Sequence, residues 1–211
     1  MVSVRARWLV AACLGAWLVT IVTGLGMLWA YAEAPGPPAT AQTTWPAGAG
    51  FARDTRAPVL VLFLHPKCPC SRATVGELAR LLAGAPAPAA IYALVYRPAD
   101  ADAGWERTDL WHSVAAIRGV TMMTDTGGAQ ARVFGAHVSG QTLLYSATGS
   151  LLFSGGITGA RGHEGDNAGR TALMSILSGG HPAAIRTPVF GCYLYADSDL
   201  KAIRPAGEAL P

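Results

Sequence analysis

Charge is scarce in this chain. Only 14% of its 211 residues are Asp, Glu, Lys or Arg, and the net charge is +3. The excess is small and scattered, so the basic footprint of a nucleic-acid-binding protein is absent. Cysteine is sparse as well, with four in the whole sequence. No internal repeat and no second domain boundary can be read. One stretch lacks charge altogether: Trp8 to Ala32 holds no Asp, Glu, Lys or Arg.

That uncharged run is long enough to cross a hydrocarbon core of about 30 Å. Arg5 and Arg7 precede it, and no basic residue follows closely. The positive-inside rule then puts the N-terminus in the cytoplasm and everything after about Glu33 outside it. Ala30-Tyr31-Ala32 has the small-x-small pattern of a cleaved signal, but the run exceeds the usual signal core of roughly 7–15 residues. An uncleaved single-pass anchor over 1–33 is the preferred reading, and both readings export the rest. Cys13 lies inside the apolar span, where it reads as membrane packing. Cys68, Cys70 and Cys192 remain outside. An odd count in an oxidising compartment points to a reactive or ligand thiol.

Residues 34–50 are rich in Pro, Ala, Gly and Thr and read as a flexible spacer. The globular domain is expected over 51–211. Pro58–Leu64 (PVLVLFL) is continuous and apolar, as in a buried parallel strand. Ser71–Leu82 carries Val75, Leu78, Leu81 and Leu82 on one helical face. The Pro-rich residues after Gly84 break that helix. Ala90–Tyr96 predicts a second buried strand, Thr108–Ile117 a helix, Val120–Thr124 a strand and Ala129–Phe134 a short helix. Gln141–Tyr145 and Leu151–Phe153 flank a hairpin signal. Asp166-Asn167 offers an N-cap for a last helix through Leu177, ended by Gly179-Gly180. This order predicts an α/β sandwich with helices on both faces of a mixed sheet.

Cys68-Pro69-Cys70 falls between the first strand and the first helix of that domain. Unpaired N–H groups at a helix N-terminus favour thiolate over thiol. The thiolate attacks disulfides and binds soft metals. Lys67 and Arg72 flank the motif and would each favour the thiolate further.

The order of strand, cysteine motif, helix, strand, helix, hairpin and helix resembles the thioredoxin-like superfamily. The resemblance is to its membrane-anchored extracytoplasmic type (TlpA/ResA-like), whose motif is F-W-A-x-W-C-P-P-C-R-x-E-x-P-x-L. Phe63–Leu78 lines up with it without a gap. Asp125-Thr126-Gly127-Gly128-Ala129 and Phe134-Gly135 look like the D-x-x-G-x-x-A-x-x-Y-G run of the same proteins. HPKCPCSRAT, GGIT-x-x-RGH-x-GDN-x-GR and TPVFGC resemble the narrower RedB-labelled group. The resemblance implies a thioredoxin-like three-layer sandwich with a mixed central sheet, preceded by one transmembrane helix. It also implies a place on the periplasmic side of the inner membrane, a protein thiol or disulfide partner, and Cys68 as the attacking cysteine.

The departures bear on chemistry. Ser71 stands in the place of the resolving cysteine, Cys70 in that of the second proline, and Gly140 in that of the cis-proline. No Trp neighbours the motif, where His65 and Pro66 stand instead. Three routes follow. Cys68 and Cys70 close a small strained disulfide, or one of them pairs with Cys192, or the thiolates bind copper or zinc together with Cys192, His65 or His163. Sco-type copper chaperones use the same fold with a longer C-x-x-x-C spacing.

The preferred reading is thiol–disulfide oxidoreduction without a cofactor. Cys68 is the nucleophile and Cys70 the resolving thiol, with Cys192 as its rival. Ser71 is expected to cap the helix and donate a hydrogen bond to the Cys68 thiolate. Thr158–Arg170 reads as glycines needed for backbone shape, a cap at Asp166 or Asn167, and solvated charges, with His163, Glu164 and Asp166 tuning a thiolate or binding a cation as the sharper alternative. His112 and His137 read as surface or satisfied core residues.

Overall fold

The computed structural model describes residues 4–85 and 89–195. The Pro-rich break at 86–88 and the tail beyond 195 lie outside the described residues. The chain divides into two units, Met1–Ala34 and Pro35–Pro211.

The first unit is one helix, α1 (Val4–Glu33), with no buried residue. At 1.5 Å per residue its length is about 45 Å, more than a bilayer core requires. Its most apolar 18-residue window has a mean hydropathy of 2.0. By length and composition this helix can cross a membrane.

The second unit is built on five strands: β1 (Val59–Leu64), β2 (Ala90–Arg97), β3 (Val120–Thr126), β4 (Thr142–Tyr145) and β5 (Leu151–Gly155). Their order in the sheet is β3-β2-β1-β4-β5. β1 runs parallel to β2, in register from Val59–Ala90 to Leu64–Val95, and β2 runs parallel to β3. β4 is antiparallel to both β1 and β5. Helices α2 (Pro69–Gly84), α3 (Asp109–Ala115), α4 (Ala129–Val133) and α5 (Ala168–Leu177) complete an α/β sandwich on this mixed sheet.

Successive residues of β1 point to opposite faces, and all six are buried. Val59, Val61 and Phe63 pack with Phe134, Leu143 and Tyr145. Leu60 and Leu62 pack with Leu78 and Leu81 of α2 and Leu173 and Leu177 of α5. Both faces are therefore cores, which is why the run reads as continuous apolar rather than alternating.

The expected elements are all present, with shifted ends. α2 begins two residues earlier than its apolar spacing suggested, because Pro69 occupies the first helical turn, where its fixed φ costs nothing. Asn167, rather than Asp166, caps α5 by accepting from the Arg170 N–H at 2.8 Å. The Asp125 carboxylate accepts from the N–H groups of Gln130 and Ala131 and so holds the start of α4.

One expectation is overturned. Residues 35–50 are not a free spacer. Thr40 N–H donates to Gly135 O at 2.9 Å, Trp45 N–H to Gly149 O at 2.7 Å, and Leu151 N–H to Thr43 O at 2.8 Å. The Trp45 ring meets Phe51, Phe134 and Tyr145 edge-on, with centroids 5.2–5.5 Å apart. A segment poor in periodic apolar residues is held by one aromatic anchor and by backbone pairing, neither of which its composition reveals.

Candidate active site

Cys68 is the N-cap residue of α2, with extended backbone (φ −103°, ψ 124°). Its N–H donates to His65 O and its carbonyl accepts from Arg72 N–H. Cys68 is 4% exposed and Cys70 6%. Ser71 is fully buried but does not act as expected. Its hydroxyl accepts from the His65 N–H at 2.9 Å, tying the end of β1 to α2. The N-cap has no side-chain hydrogen bond, and it is the Ser71 backbone N–H that reaches the Cys68 sulfur. The hydroxyl that faces Cys68 belongs to Ser139, at 3.5 Å.

Cys192 comes from the far end of the chain. Its Sγ lies 2.8 Å from Cys68 Sγ and donates to it. That separation is about 0.8 Å longer than a disulfide bond of roughly 2.05 Å. The tail carrying it runs antiparallel to the segment just before β4. Ser139 N–H donates to Cys192 O at 2.8 Å and Leu194 N–H to His137 O at 3.0 Å, with Val138 opposite Tyr193 between them. Cys192 N–H in turn donates to Ser139 Oγ at 3.0 Å. Two glycines admit this close approach. A Cβ on Gly191 would collide with the Ser139 carbonyl, and one on Gly140 would stand 3.1 Å from Thr74 Oγ1 and 3.3 Å from Phe190 O. Gly140 also has φ +85°, a left-handed conformation suited to glycine. It is joined by a trans peptide bond, and among the described residues no peptide bond is cis. The bare Cα of Gly140 thus gives clearance for the tail.

Cys68 is held as a thiolate, its pKa lowered to about 4. The largest contribution is the hydrogen bond from the Cys70 side chain. Burial opposes it, and bonds from Cys192, Ser139 and the Ser71 N–H reinforce it. Cys70 is pushed up, first because it donates to Cys68 and then by burial. Burial, followed by its own bond to Cys68, pushes Cys192 up to about 12. The cluster therefore holds one negative sulfur with two thiols donating to it.

The remaining expected residues fall elsewhere. His163 is exposed on the loop before α5, where its N–H donates to Ala160 O. Among the described residues no group of three or more His, Cys, Asp or Glu side chains has the arrangement to hold a metal ion. His65 Nδ1 accepts from Lys67 N–H, and burial lowers its pKa. Lys67 Nζ lies 4.1 Å over the Trp105 ring. Trp105 also meets the His65 ring edge-on, so tertiary structure supplies the aromatic neighbour that the motif itself lacks. His137 is a satisfied core residue, 2.6 Å from Tyr195 Oη and 3.4 Å from Thr40 Oγ1. Ser139 and Trp105 were not found by sequence reasoning. Ser139 had one signal, its place directly before Gly140; Trp105 had none.

No family model and no curated protein matches this chain. Solved structures do. A hypothetical protein from Sinorhizobium meliloti is 20% identical, with a TM-score of 0.52 over 77% of this chain and 95% of that one. An uncharacterized conserved protein from Geobacillus kaustophilus is 15% identical, with a TM-score of 0.55 over 78% and 93%. A secreted Mycobacterium tuberculosis disulfide oxidoreductase homologous to E. coli DsbE is 16% identical, with a TM-score of 0.42 over 58% and 81%. At such identities the likeness concerns the fold alone.

Proposed function

We propose that this chain is a membrane-anchored, extracytoplasmic thiol–disulfide oxidoreductase of the TlpA/ResA-like type, acting on protein disulfides or dithiols. Residues 1–33 form the anchor, and the domain from Pro35 onward carries the chemistry. Cys68 is the nucleophile, Cys192 the resolving thiol, and Cys70 a proton-holding neighbour. The observation that carries this reading is the 2.8 Å approach of the Cys192 sulfur to a thiolate at a helix N-terminus.

In the reducing direction the Cys68 thiolate attacks one sulfur of a partner disulfide. A new S–S bond forms as the partner's S–S bond breaks, and one partner thiolate leaves. Cys192, after losing its proton to water, attacks Cys68 Sγ. The mixed disulfide breaks, the second partner thiolate departs and takes up a proton, and Cys68–Cys192 closes. The partner gains two electrons and the protein loses two. A protein dithiol then reopens the bond by the same steps in reverse, and oxidation of a partner dithiol runs along the same path. Cys70 remains protonated and donates to Cys68 whenever that sulfur is a free thiolate.

The test is disulfide mapping by mass spectrometry after mild oxidation of the reduced protein, combined with insulin reduction. A Cys68–Cys192 linkage, with turnover lost in Cys68→Ser and a trapped mixed disulfide in Cys192→Ser, supports the reading. A Cys68–Cys70 linkage, or full turnover in Cys192→Ser, overturns it.

A further inference from the structure

Cys192 is exposed, on a tail paired with residues 137–139 and flanked by the buried side chains of Phe190 and Leu194. The resolving step needs that tail held in one orientation. The peptide unit joining Gly191 to Cys192 is gripped on both sides. Its N–H donates to Ser139 Oγ at 3.0 Å. Its carbonyl accepts from Arg161 Nη1 at 2.9 Å. A peptide unit is planar and its N–H and C=O point in opposite directions, so these two bonds fix its tilt and with it the direction of the Cys192 side chain.

Arg161 belongs to Thr158–Arg170, the Gly- and charge-rich segment that the proposed chemistry does not otherwise use. The segment is fastened to α2 from beneath. Glu77, fully buried on α2, accepts from Gly165 N–H at 2.8 Å and Asn167 Nδ2 at 3.3 Å, and pairs with Arg170 Nε at 3.1 Å. The same loop offers the Gly162 N–H to the Cys70 sulfur. Arg161 therefore projects from a braced loop onto the tail. Its charge also favours the Cys192 thiolate, against burial and the neighbouring Cys68, while Cys70 faces the same cluster.

We propose that Arg161 is a positioning residue for the resolving step: its guanidinium holds the Gly191 carbonyl so that Cys192 points at the Cys68 sulfur. This rests on the reading of Cys192 as resolving thiol. The bond is charge-assisted and its acceptor lies on the tail; with its pKa lowered to about 4, Cys68 stays ionised at neutral pH without it, so the first attack is spared.

The experiment uses the full chain, reduced, and a symmetrical aromatic disulfide (dithiobis-nitrobenzoate) in single turnover. The first coloured thiolate released reports attack by Cys68, and the second reports closure by Cys192. Arg161→Gln should leave the first phase unchanged, lower the melting temperature by only a few degrees, and slow the second phase roughly tenfold or more, the size of one hydrogen bond to a charged group. Arg161→Lys should restore most of the second phase. An unchanged second phase in Arg161→Gln, equal slowing of both phases, or no rescue by Lys overturns the role of Arg161. A wild-type protein that releases only one thiolate, or whose closed product maps to Cys68–Cys70, fails at the earlier step and removes the resolving role of Cys192 itself.

Discussion

Cys192 Sγ stands 2.8 Å from Cys68 Sγ across a sequence separation of 124 residues. The approach depends on Gly191, whose missing side chain lets the tail lie against the Ser139 carbonyl. Gly191→Ala should push the tail away from the 137–139 segment. The expected result is a first attack on a disulfide probe at the normal rate and a second, closing phase slowed by an order of magnitude or more. Two-phase single-turnover kinetics measure both. Wild-type closure in Gly191→Ala would show that the contact with Ser139 does not set the step.

Cys68 should remain a thiolate well below neutral pH. Its folded value of about 4 lies far under the roughly 8.5 of an unperturbed thiol. A lowered folded value contributes stability that is fully present above the unfolded value. That contribution is lost as pH falls through the folded one. Between these limits the reduced wild type should lose stability on acidification more steeply than Cys68→Ser. Denaturant melts at a series of pH values give the two slopes. Parallel slopes would contradict a thiolate held by Cys70, Cys192 and Ser139.

Ser139→Ala removes a hydroxyl that faces the Cys68 sulfur and also accepts from the Cys192 N–H. The Cys68 titration followed by thiolate absorbance should move upward. The closing phase should slow in the same variant, because one side of the Gly191–Cys192 peptide is released. A Ser139→Thr control keeps the hydroxyl and should retain more of both properties.

Glu77 is a buried carboxylate with two arginine partners, one backbone N–H and the Asn167 amide. Glu77→Ala should cost about 2 kcal/mol or more, the range for losing hydrogen bonds to a charged group. Hydrogen exchange should rise in the loop before α5, with β1 and β2 unaffected. A stability change under 0.5 kcal/mol, within ordinary surface variation, would mean that the loop needs no such brace.

Trp45→Ala tests whether residues 35–50 belong to the domain. The ring touches three aromatic neighbours, and large aromatic deletions from cores cost about 3–5 kcal/mol. A protein beginning at Phe51 should be destabilised at least as much as Trp45→Ala. Equal melting of the two lengths would restore the reading of this stretch as a spacer.

Much of the frame was legible locally. PVLVLFL reads as a doubly buried strand, and the six residues of β1 within it, Val59–Leu64, are buried on two faces. The cysteine motif was placed at a strand-to-helix junction because the apolar period changes there from continuous to helical. The uncharged Trp8–Ala32 run, expected to be a membrane-crossing segment, lies within one apolar helix long enough for that, Val4–Glu33. Signals of this kind lie within a window of a few turns, where side-chain spacing and backbone propensity act together.

The partners of Cys68 were not legible in the same way. Ser71, three residues on in sequence, turns its hydroxyl to the His65 N–H, and the hydroxyl that reaches the sulfur comes from Ser139. Trp105 arrives beside the motif from another loop. Trp45 anchors a segment whose composition reads as spacer. By itself the sequence determined the strands, the helices and the place of Cys68 at a helix N-terminus, because local periodicity suffices for these. Only the tertiary structure decided that Cys192 joins Cys70 at the Cys68 sulfur. That choice depends on a sheet closing in the order β3-β2-β1-β4-β5 and on a glycine-cleared tail pairing with residues 137–139. Such contacts leave no periodic trace in the chain.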